Sequence, residues 1–153
     1  PRLDQSQTVA AIAALQEYRD MYPDGKLKGL AEERLMELQD KLVEKEYLNA
    51  KLYYDLGSYF GNCTYGGNNY EACVITAQNA LNDYPYTSMR EDFAILIMKS
   101  KYELAQMSVE SKKLQRYQDA EDECYGFINE YPDSKERETA EKYIKKCKEI
   151  TKD

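Results

Sequence analysis

The sequence contains no histidine, which excludes Ser-His-Asp and Cys-His nucleophile systems, histidine-ligated metal sites and histidine pH switches. Its four cysteines, Cys63, Cys73, Cys124 and Cys147, include no CxxC pair, so thiolate metal sites and redox motifs also lack their usual spacing. No apolar run approaches the roughly 20 residues a membrane-spanning helix needs. Positive charge is in deficit: the net charge of -7 disfavours nucleic acid as a partner, because phosphate-backbone affinity comes largely from Lys and Arg. The basic tail, with Lys142, Lys145, Lys146 and Lys148, reads as a solvated helix face beside C-terminal carbonyls. Paired acids such as Asp55 and Glu103 would need a closed pocket to catalyse anything, and both fall on charged helix faces. No catalytic, cofactor-binding or metal-binding residue is expected, no cofactor, and no enzyme activity. The sequence begins at Pro1 without methionine, signal peptide or lipid-attachment motif, so a fragment or processed form is expected.

What is present is a unit that occurs three times: an amphipathic helix running into Tyr-Pro, a turn, and a new helix. The junctions are Tyr22-Pro23-Asp24-Gly25, Tyr84-Pro85-Tyr86-Thr87-Ser88 and Tyr131-Pro132-Asp133-Ser134. Proline cannot continue a helix and drives its predecessor out of the α region. Upstream of each proline, Ala11, Leu15 and Tyr18, then Cys73, Ala77 and Ala80, then Ala120, Cys124 and Phe127, recur at matching distances on one helical face. Small residues there let a second helix approach closely, so Cys73 and Cys124 read as buried small hydrophobes. Cysteine use alone leaves the compartment, and hence a disulfide, open. A repeated unit that cannot bury its apolar face alone marks a solenoid. The expected fold is all-α, a tetratricopeptide-type solenoid of antiparallel helix pairs with about six helices. Residues 1–153 would form a single tetratricopeptide-repeat domain, with N-terminal repeats missing.

Along the chain, Asp4 or Ser6 can cap a first helix ending at Tyr22. Helical spacing then predicts one long helix from about Lys26 to about Tyr59, with a phase shift between Leu42 and Tyr47 that allows a kink. Gly57 to Asn69 is dense in Gly and Asn and reads as a loop. Another helix runs from Asn69 or Tyr70 to Tyr84. Ser88-Met-Arg-Glu91 reads as a capping box for a helix carrying Phe93, Leu96, Met98 and Tyr102, apolar over more than one face and hence central. A polar connection from Ser108 to Arg116 precedes the helix of Tyr117 to Ile128. Asp133-Ser-Lys-Glu136 caps the last helix, whose inner stripe is Ala140, Tyr143, Ile144, Cys147 and Ile150.

Four further stretches carry a resemblance: Leu3-Asp-Gln-Ser-Gln-Thr, Leu38-Gln-Asp-Lys-Leu-Val-Glu-Lys-Glu-Tyr47, Ala50-Lys-Leu-Tyr-Tyr-Asp-Leu-Gly57, and Tyr102-Glu-Leu-Ala-Gln-Met-Ser-Val-Glu-Ser-Lys-Lys113. Together with the Tyr-Pro junctions they resemble the C-terminal part of the BamD-type outer-membrane assembly lipoproteins, in forms typical of Bacteroidetes. The sequence departs from that pattern between Tyr59 and Asn69, where it inserts the Gly/Asn-rich loop. The resemblance implies a non-enzymatic scaffold at the periplasmic face of the outer membrane. Its implied partners are a BamA-like barrel-assembly component and other assembly lipoproteins, with membrane attachment only through an N-terminal lipid absent from this chain. A different peptide-binding tetratricopeptide adaptor is the alternative, although the known Lys/Asn carboxylate clamp is not matched: Tyr47, Lys51, Ile95 and Lys99 occupy its positions. Because interface energy concentrates in aromatic and Arg anchors, Tyr86, Arg90, Arg116 and Tyr117, at the edges of the C-terminal repeats, are the expected partner-binding residues.

Overall fold

The computed structural model describes residues 2–59 and 68–151. Among the described residues the fold is all-α, with six helices and no strand: α1 Ser6–Met21, α2 Lys28–Leu56, α3 Asn69–Asp83, α4 Arg90–Gln106, α5 Glu110–Glu130 and α6 Arg137–Thr151. The chain divides into two compact units, residues 1–48 and 49–153, with α2 running through the boundary. Most of the insertion read between Gly57 and Asn69 lies outside the described residues.

The three Tyr-Pro junctions share one backbone geometry. Tyr22, Tyr84 and Tyr131 have φ of -128°, -127° and -127° and ψ of 65°, 66° and 66°. Each tyrosine N–H still donates to the carbonyl four residues back, on Tyr18, Ala80 and Phe127. Each tyrosine carbonyl then accepts from the N–H three residues on, from Gly25, Thr87 and Ser134 at 2.9, 3.2 and 3.1 Å. The proline fixes φ at the second position of this turn and has no N–H to extend the helix. Thr87 Oγ1 accepts from the Met89 N–H at 3.2 Å and Ser134 Oγ from the Glu136 N–H at 3.1 Å, so both hydroxyls satisfy free donors at the start of the next helix. The N-cap position of α4 is Met89, which makes no side-chain cap bond, so the capping box that the spacing predicts from Ser88 does not form and the hydroxyl serving the helix entrance is that of Thr87. At the corresponding place in the first junction Gly25 has no hydroxyl to offer.

In unit 1, Asp4 accepts from the Ser6 N–H and hydroxyl at 3.3 and 2.9 Å, which makes Asp4 the residue that serves the start of α1. Ala11, Leu15 and Tyr18 are half-buried and α1 has no fully buried residue, whereas Ala31, Leu35 and Val43 of α2 are buried. Val9, Met21, Leu30 and Met36 remain exposed.

In unit 2 the repeat face is buried as its spacing predicts. Cys73, Ala77, Ala80, Ala120, Cys124 and Phe127 are all within 3% of complete burial. Helix α4 packs against both α3 and α5, and α5 packs against α6. Its apolar residues on several faces are thereby covered: Phe93, Leu96, Ile97, Met98, Tyr102 and Ala105 are buried. Met98 joins Cys124, Phe127, Ala140 and Ile144 in one core cluster, and Tyr102 joins Ala105, Tyr117, Ala120 and Cys147 in another. Tyr143 bridges them, stacked on Tyr102 with ring centroids 3.9 Å apart and planes 8° apart. Ile150, assigned to the inner stripe of α6 by spacing, is 38% exposed because it lies in the last turn.

Two boundaries carry information that spacing misses. Residues Glu110 to Arg116 are helical, so the connection between α4 and α5 is only Met107 to Val109. The charged run read there as a linker is the solvated first two turns of α5. Further back in the chain, α2 stops at Gly57, whose φ of +45° is the left-handed conformation that ends helices. Its carbonyl accepts from buried Asn69 Nδ2 at 3.0 Å, and a Cβ on it would meet the Tyr70 hydroxyl at 2.6 Å. Gly57→Ala is expected to cost at least about 1–2 kcal/mol from the backbone alone. Thermal denaturation checks this, and an unchanged midpoint would contradict the left-handed cap.

Candidate functional site

In unit 2 a groove of about 540 Å³ lies between α3 and α5. Helix α4 lies against both of these helices and forms the floor with Lys101 and Leu104. Glu71, Val74 and Ile75 come from α3, and Arg116, Asp119, Asp122, Glu123 and Gly126 from α5. The spacing of the α5 residues explains their common face: 119, 122, 123 and 126 recur every three or four residues, opposite the buried stripe of Tyr117, Ala120, Cys124 and Phe127.

The groove's two cations are already engaged. Lys101 crosses from α4 to pair with Glu123 on α5. Arg116 Nη1 donates to Ser108 Oγ at 2.7 Å, and that hydroxyl donates to the Leu104 carbonyl, so the guanidinium braces the short α4–α5 connection. Glu71, Asp119 and Asp122 have no ion-pair or hydrogen-bond partner among the described residues. The groove therefore sets four carboxylates against two cations around an apolar strip, an excess of negative charge.

The sequence-predicted anchors fall into different environments. Tyr86 stands at the tip of the second junction, 98% exposed, where the other two junctions carry Asp24 and Asp133. Arg90 is half-buried: its Nη1 donates to the Pro85 carbonyl at 2.7 Å and its Nη2 lies 3.4 Å from Glu130. Arg137 repeats the first contact on Pro132 at 3.1 Å, so the arginine five residues after the proline is a recurring brace of the turn. Arg116 lies in the groove. Tyr117 is 4% exposed and packs edge-on against Tyr102 with centroids 6.3 Å apart, which makes it part of the core. Tyr86 and Arg90 flank one turn, while Arg116 and Tyr117 lie at the far end of α4 and do not join them. Sequence reasoning missed Glu71, Ile75, Asp119, Asp122 and Gly126, whose only signal is a polar α5 face interrupted by a glycine.

Titrating groups near this surface follow their surroundings. Burial pushes the Cys73 thiol up, the Cys147 thiol up to about 11 and the Cys124 thiol up to about 12, which leaves all three protonated and unreactive near neutral pH. They are free thiols; Cys63 lies outside the described residues. Ser100 Oγ, fully buried without a hydrogen-bond partner of ordinary geometry, faces the Cys73 sulfur, a weak acceptor. Among the described residues no group of three or more Cys, Asp or Glu is arranged to hold a metal ion. No helix of the described chain is long and apolar enough to cross a membrane.

Lys99 reaches from α4 to Glu136 at 2.9 Å, and its hydrogen bond holds that carboxyl below the ordinary value of 4.5. Because the folded value is depressed, this stabilisation is present above the unfolded value and is lost as pH falls through the folded one. A pair this close to solvent contributes about 1 kcal/mol or less. Glu136→Gln is expected to lower the denaturation midpoint near neutral pH and to converge with the parent chain in acid. A constant offset across that range would contradict the assignment.

Comparison with protein-family models finds none that matches the chain, and comparison with curated proteins finds no match either.

Proposed function

We propose that the chain is a non-enzymatic, tetratricopeptide-type scaffold of the outer-membrane β-barrel protein assembly machinery, holding partner proteins through its repeat surface. The observation that carries the scaffold reading is the recurrence of one junction geometry at Tyr22, Tyr84 and Tyr131. Stacked units of this kind present a long, preordered surface of side chains, so little conformational entropy is lost when a partner docks. The sequence resemblance supplies the setting: the periplasmic face of the outer membrane, an N-terminal lipid as anchor, and a BamA-like component and other assembly lipoproteins as partners. Tyr86 supports a contact at the second junction, because a tyrosine placed fully in solvent where sibling turns carry aspartate has no packing role to explain it. Arg90, engaged with Pro85 and Glu130, would act there by fixing the turn that carries Tyr86.

A second reading, a different peptide-binding tetratricopeptide adaptor, is favoured by the apolar, acid-lined groove between α3 and α5. Cell fractionation and depletion separate the two. The assembly reading predicts recovery with the outer membrane and a fall in β-barrel outer-membrane proteins when the protein is depleted. Recovery elsewhere with unchanged barrel proteins would favour the adaptor.

A further inference from the structure

The geometry points to the groove between α3 and α5 as a docking site for a basic, amphipathic segment of a partner protein. This rests on the reading of the chain as an interaction scaffold, but not on the assembly machinery being its setting. Three independent features of the groove point to the same occupant. The first is apolar: Ile75 is 53% exposed on one wall beside Val74, and Leu104 lies half-buried on the floor, a strip that matches one apolar stripe of a helix. The second is charge. Glu71, Asp119 and Asp122 border that strip without partners among the described residues, and the groove's four carboxylates outnumber its two cations, Lys101 and Arg116, so the complement is Lys or Arg flanking the apolar residues.

The third feature is Gly126. It sits inside α5, where glycine costs about 1 kcal/mol relative to alanine. A Cβ placed on it would meet no atom within 4 Å, so nothing in the chain itself requires the missing side chain. Its bare backbone forms part of the groove wall, which is where a glycine lets an incoming chain approach closely.

Gly126 also makes the test clean, because filling it favours the helix while obstructing the groove. The probe is a fluorescein-labelled Leu/Lys peptide with leucines at i, i+3, i+4 and i+7, titrated with the full chain and followed by fluorescence polarisation. Gly126→Leu should keep or raise the melting temperature and weaken peptide binding by about tenfold or more. Ile75→Lys should weaken it similarly, as should the double variant Asp119→Asn, Asp122→Asn. A matched charge change on α6, which contributes no residue to the groove, Glu138→Gln with Glu149→Gln, should leave affinity within about twofold, and a Leu/Glu peptide should not bind. Absence of Leu/Lys binding, unchanged affinity in Gly126→Leu, or an equal loss in the distal control would each overturn the docking groove. None of these results bears on recovery with the outer membrane, so failure of the groove and failure of the assembly reading remain distinguishable.

Discussion

Replacing Phe93 with alanine is expected to destabilise the protein by about 3–5 kcal/mol, the range for emptying a fully enclosed aromatic site. Phe93 heads the fully buried side chains by size, and it stands in the first turn of α4, directly after the second Tyr-Pro junction. Loss of the ring removes apolar burial and leaves a cavity between elements that the junction holds at a fixed angle, so local collapse can recover only part of the cost. Urea denaturation monitored by circular dichroism measures it. The midpoint should fall sharply with the slope unchanged, as for a loss of stability without a change in the surface exposed on unfolding. A shift under about 1 kcal/mol would mean that the site is not closely packed.

The second large effect is the opposite substitution on the facing helix. Ala77 is fully buried on α3, and helix α4 packs against that helix. Ala77→Phe inserts a ring where the methyl group already meets its neighbours, which is expected to cost about 1–3 kcal/mol through displaced side chains and backbone. The same change at Gln78, one position round the helix and exposed, should have little effect. Equal effects at the two positions would show that the face has been assigned wrongly.

The repeat was legible because its signals are local and redundant. A proline removes an N–H wherever it occurs, and the small residues Cys73, Ala77, Ala80 and Ala120 leave a spacing that survives without any knowledge of the partner helix. Where local chemistry is ambiguous, sequence reading fails. Ser108 to Arg116 is polar enough for a loop, but from Glu110 onward its residues are mostly good helix formers and make the first two turns of α5. Thr87 and Ser88 are adjacent hydroxyls before α4, and only the turn closed by the Tyr84 carbonyl decides that Thr87 accepts from the Met89 N–H.

The site was less legible than the fold. Glu71 and Ile75 on α3 meet Asp119 and Gly126 on α5 only because α4 lies against both helices, and no spacing within one segment encodes that meeting. Tyr117 and Arg116 are neighbours in sequence, yet one is in the core and the other in the groove, as a helix turn of about 100° per residue dictates. Tyr86 could be found from sequence because junction residues are aligned by their prolines, and it is the aromatic exception among two aspartates.

The most direct measurement of the central claim is calorimetric titration of the purified chain with the periplasmic part of the barrel-assembling membrane protein from the same organism. The scaffold account predicts saturable one-to-one binding, weakened by about 2 kcal/mol or more, roughly thirtyfold, in Tyr86→Ala, with helical content unchanged. A folded chain that produces no binding heat at any temperature and fails to co-elute with that partner would contradict it.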